Sequence, residues 1–107
     1  MKRICPLPPY LQHINPEEVS LQYSFRTFSI NLATALIAAN VLHFAYMEVV
    51  RGQVAYTFAD PLRVGPEKAK AFHEKSEAFP LVHPAFYSEL RSLFVKEAGR
   101  LLNDQSH

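Results

Sequence analysis

The sequence contains one cysteine, Cys5, and three glycines in 107 residues. A single cysteine excludes an internal disulfide. With no Cys or His close beside it, the thiol also lacks the positioned base that a nucleophile needs. Gly52, Gly65 and Gly99 stand too far apart to build a phosphate-cradling loop. The five histidines, at positions 13, 43, 73, 83 and 107, include no pair at the helical spacing of metal ligands. His73-Glu74 opens like a zinc-protease helix, but Glu77 stands where the second histidine belongs. Charge of one sign is lacking too. Eleven basic against ten acidic side chains give a net charge of +1, which leaves no electrostatic footprint for nucleic acid. Glu17 and Glu18 are no acid/base pair, because adjacent helix residues point apart. No catalytic, cofactor-binding or metal-binding constellation results, and the chain reads as a non-enzyme.

What is present is proline and aromatic side chains: eight Pro, eight Phe and five Tyr. The length fits one domain. Residues 1–15 carry Pro6, Pro8 and Pro9, which interrupt both the apolar core of a secretory signal and the helix of a mitochondrial presequence. The expectation is an extended, proline-rich arm lying on another subunit, with no cleaved presequence.

Asn15-Pro16-Glu17-Glu18 carries a helix start: an N-cap, a proline at the first helical position and a capping-box glutamate. No proline follows until Pro61 and no glycine until Gly52. The expected element is therefore one long helix over 16–51, about 50 Å at 1.5 Å per residue. Its stretch 28–50 has no Lys, Arg or Asp, and Glu48 is its only acid. An apolar run of about 20 residues is what a bilayer core requires, so 28–50 reads as a single membrane span. Tyr23, Phe25 and Phe28 at one end and Tyr46 and Tyr56 at the other suit the interfaces. Asn31, Thr34, Ala38, Val41, Ala45 and Glu48 follow a 3-4-3-4-3 spacing that lays them along one helix-packing seam. Asn40 and His43 form a second polar patch. Arg26 alone precedes the span closely, whereas Arg51, Arg63, Lys68 and Lys70 follow it, which places the C-terminal region on the matrix side.

Residues 52–65 read as a connector ending in Gly65-Pro66-Glu67, and 66–107 as an amphipathic helical region. A charged helix is expected over about 66–78 and a second over about 84–102. In the latter Phe86, Leu90, Leu93, Phe94 and Leu101 share one stripe. The chain as read offers little apolar surface to cover them, so the stripe is assigned to a partner protein.

The fold class expected is thus mainly α: one long transmembrane helix, two shorter helices, extended arms and little independent core. That layout resembles the single-span accessory subunits of mitochondrial respiratory complexes and ATP synthases. It implies a non-catalytic role in assembly and stability at the mitochondrial inner membrane, with other subunits and membrane lipids as partners and no cofactor. The alternative is a soluble all-helical adaptor or small regulatory domain, its 28–50 helix wrapped by the two later ones.

Overall fold

Ser29 caps a helix inside the stretch expected to be helical throughout. The Ser29 hydroxyl accepts the Leu32 N–H at 3.2 Å, and its carbonyl accepts the Ala33 N–H at 2.9 Å. The helix then runs only from Ile30 to Ala38. It stops because Asn40 takes a left-handed backbone, φ +55°. The Asn40 N–H donates to the Ile37 carbonyl and the Val41 N–H to the Leu36 carbonyl, each at 2.9 Å. This pair of bonds is the Schellman closure, and asparagine tolerates its left-handed position better than other non-glycine residues.

The computed structural model describes residues 2–3 and 23–105. In chain order the elements are β1 (Lys2–Arg3), β2 (Ser24–Thr27), α1 (Ile30–Ala38), β3 (His43–Val50), β4 (Gln53–Ala59), α2 (Gly65–His73) and α3 (Pro84–Gln105). The strands pair antiparallel in the order β1-β3-β4-β2, with β1 contributing only a two-residue edge beside Met47 and Glu48. β3 and β4 form a hairpin in which Val50 faces Gln53 across Arg51 and Gly52. Both loop residues have positive φ, +54° and +80°. That is the primed two-residue turn whose twist matches the strands.

Residues alternate between the two sheet faces. Phe25, Phe44, Met47, Val54, Tyr56 and Phe58 join one core cluster with Leu32 and Leu36 of α1 and Leu90, Phe94 and Leu101 of α3. Phe94 is fully buried at its centre. Its ring meets Phe44 edge-on at 5.3 Å and Tyr56 at 5.2 Å, and Phe44 meets Phe58 at 5.5 Å. Asp60 ends the sheet and starts α2. Its buried carboxylate accepts the Val64 N–H at 2.8 Å and the Gly65 N–H at 2.7 Å, neutralising donors that the helix itself leaves unpaired.

This architecture is α+β and corrects the expectation of a mainly helical chain. The helix expected over 16–51 is, among the described residues, a strand, a short helix, a turn and a second strand. The transmembrane span over 28–50 falls with it: no helix of the described residues is long and apolar enough to cross a membrane. The physical reason is that a lack of Pro and Gly permits a helix without requiring one. Phe44, Tyr46, Val49 and Val50, mirrored by Val54, Tyr56, Thr57 and Phe58 across Arg51-Gly52, favour a hairpin. β4 occupies half of the expected connector 52–65. The chain also has a core of its own, and the sheet supplies the apolar surface that the sequence reading lacked. Of the expected arm over 1–15, Lys2 and Arg3 pair with β3 of the same chain. Residues 4–15, and the capping box at 15–18, lie outside the described residues.

Two outcomes follow from this packing. Replacing Phe94 with Ala should cost roughly 3–5 kcal/mol in urea unfolding, as loss of a buried aromatic does, and Phe94→Asp should leave no cooperative transition. Arg51→Asn should raise stability by about 0.5–1 kcal/mol in the same measurement, since asparagine suits a left-handed turn residue and arginine does not.

Candidate functional site

α3 is 22 residues long and α1 is 9, so the later helix outruns the earlier one. The two are clasped at the start of α1. The Tyr87 hydroxyl donates to the Asn31 carbonyl at 3.2 Å, and Arg91 Nε donates to Asn31 Oδ1 at 2.7 Å. Partial burial raises the pKa of the Tyr87 phenol above its ordinary value, against an opposing pull from Arg91. At the hairpin end of the sheet the second half of α3 shares a hollow with only the first residue of α1, Ile30, among the described residues.

The result is an open apolar groove of about 600 Å³. One wall comes from Phe28 and Ile30, where β2 passes into α1. The floor is Gln53, Val54 and Tyr56 of β4, and the other wall is Val95, Ala98, Gly99 and Leu102 of α3. The α3 residues recur at i, i+3, i+4 and i+7, a stripe one residue around from the buried Leu90, Phe94 and Leu101. Phe28 is 48% exposed, Val95 49% and Leu102 40%. Fully burying such a side chain contributes roughly 1.5–3 kcal/mol, so covering the exposed halves of all three would contribute on the order of 3 kcal/mol.

The residues expected to form a helix-packing seam are dispersed. Asn31 is exposed in the first turn of α1 and engaged by Arg91. Thr34 is buried and donates its hydroxyl to the Ile30 carbonyl at 2.7 Å. Ala38 ends α1, Asn40 is the left-handed residue that closes it, and Val41 follows. His43 is exposed at the start of β3, and Ala45 is buried at an irregularity between Phe44 and Tyr46. Glu48 lies on β3 and pairs with Arg26 of β2 at 3.6 Å. No seam unites them, because its spacing is helical and half of its members are in a turn or a strand. The expected partner stripe is also corrected. Leu90, Phe94 and Leu101 are buried within the chain's own core, and Phe86 and Leu93 pack against it.

Sequence reasoning therefore missed the groove residues Phe28, Ile30, Val54, Val95, Ala98, Gly99 and Leu102 as a set. The one signal available was the second apolar line on α3, hidden beside the stronger one. Among the described residues no group of three or more His, Cys, Asp or Glu is placed to hold a metal. A scan against protein-family models, a search of curated proteins and a search of solved structures return no match.

The two helical glycines should respond oppositely to alanine. A Cβ on Gly65 would lie 2.5 Å from the Phe25 ring and 2.7 Å from Asp60 Oδ2, whereas one on Gly99 meets nothing within 4 Å among the described residues. Gly99→Ala should stabilise by about 0.5–1 kcal/mol through helix propensity. Gly65→Ala should destabilise, because a fixed ring and a capping carboxylate must move. Thermal melts of the two variants check both signs.

Proposed function

We propose that this chain is a non-catalytic protein-binding module, an accessory component that docks a partner in the groove beside α3. The reading keeps the accessory role expected from the sequence and rests it on a surface of the folded domain instead of a membrane span. The carrying observation is Gly99. Glycine inside a helix costs about 1 kcal/mol relative to alanine, and it is retained within a chain for a positive φ or a close internal contact. Among the described residues Gly99 has neither: it lies within α3, and a Cβ there would meet none of their atoms within 4 Å. A glycine without an internal reason, facing an open groove between two half-exposed apolar side chains, suits close approach by another backbone.

A photo-reactive residue at position 95, introduced in the native host, tests this. It should give one discrete adduct, and adding Gly99→Leu, whose Cβ meets no described residue within 4 Å and whose side chain would occupy the groove, should abolish it. The same probe at Leu62, exposed in the turn before α2, should give none. Equal labelling from both positions would refute the docking role.

A further inference from the structure

We infer that the occupant of this groove is an amphipathic helix of a partner protein with acidic side chains at the end that reaches the β3–β4 turn. The inference rests on the proposed docking role and adds the chemistry of what docks. Around the hairpin end the apolar groove runs into a second hollow, and Phe28 and Gln53 line both. The second hollow adds two cations, Arg26 and Arg51. Arg26 lies over the Phe28 ring at 5.8 Å and is partly neutralised by Glu48 at 3.6 Å. Arg51 is exposed at the tip of the turn and has no ion-pair partner among the described residues. No acidic side chain of the described residues lines either hollow. The surface is thus apolar along its length and cationic at one end, and its complement is apolar along its length and anionic at one end.

The occupant's form follows from the shape. The groove is open to solvent along its length, so it would leave most of an acyl chain wet, whereas binding pockets bury 70–90% of a small ligand. An open trough is filled by an element that carries its own backbone hydrogen bonds. A helix does so and presents apolar anchors at i, i+3, i+4 and i+7, and the bare backbone at Gly99 lets it approach closely.

Two helical peptide probes test the inference with the full chain. Both carry the same leucine face, and they differ only in having two glutamates or two lysines at one end. By titration at low salt the glutamate probe should bind about tenfold tighter, as two rim ion pairs permit. The difference should shrink at high salt, where exposed charges are screened. Arg51→Asp, which keeps a residue tolerant of the left-handed turn, should reverse the order, and Gly99→Leu should abolish binding of both probes. Equal affinity of the two probes for the unaltered chain overturns the charge assignment, while their joint loss in Gly99→Leu would leave the docking role standing. Binding of decanoate with neither peptide bound overturns the helix assignment. So does concentration-dependent self-association that Gly99→Leu removes, which would make a second copy the occupant. Failure of both probes overturns the inference outright, and the cross-linking at position 95 then decides the docking role separately.

Discussion

Phe94 fixes the position of α3 on the sheet, and most other features follow from that contact. Its ring sits edge-on between Phe44 of β3 and Tyr56 of β4, so one side chain holds both strands of the hairpin to the helix. Leu90 and Leu101 continue the same buried line on α3. Once this line faces the sheet, the neighbouring stripe is about 100° around the helix axis at one residue's rotation. Val95, Ala98, Gly99 and Leu102 are thereby turned toward the gap that α1 is too short to fill. The groove is a geometric consequence of a long helix anchored by its middle over a sheet whose other covering helix is short.

A second constraint acts through single backbone residues. Asn40, Arg51, Arg63 and Lys75 have positive φ, and each closes a helix or a turn. Asn40 separates α1 from β3, and Arg51 with Gly52 reverses the chain so that β4 pairs with β3. Lys75 ends α2 with the same two-bond closure, its N–H donating to the Phe72 carbonyl and the Ser76 N–H to the Ala71 carbonyl. Without the reversals at Asn40 and Arg51 the apolar residues of 28–59 would have no route onto a common face.

The parts of this fold that are legible in the sequence are those with helical period and punctuation. The run from Pro84 carries a stripe strong enough to mark a helix there, and Gly65-Pro66-Glu67 marks the start of another. The stretch 28–50 is not legible in that way. A run of apolar residues bounded by turn signals fits a buried strand as well as a buried helix, and periodicity does not separate them. Arg51-Gly52 reads equally as a helix end or as a hairpin tip, since glycine serves both. The groove was beyond sequence reasoning for a different reason. Its lining comes from 28–30, 53–56 and 95–102, and only the packing of Phe94 brings those segments together.

Local sequence preferences are broken at several places in this chain, and most breaks have an internal compensation. Gly65 makes room for the Phe25 ring beside the Asp60 carboxylate. Arg63, left-handed, lies over Tyr23 at 5.7 Å. Lys75, also left-handed, places a cation at the negative end of α2. Two breaks lack one among the described contacts: an open-sided glycine at position 99 inside α3, and an arginine at position 51 where asparagine or glycine suits the turn. They are far apart in sequence, one on a helix and one on a hairpin tip, yet they border the same continuous surface through Phe28 and Gln53. Sequences tend to depart from locally stable choices where something other than their own stability is being served. Gly99 leaves space where a side chain would fit, and Arg51 sets a charge at the end of that space. Both features concern what lies outside the chain, and that coincidence supports reading the groove as a docking surface.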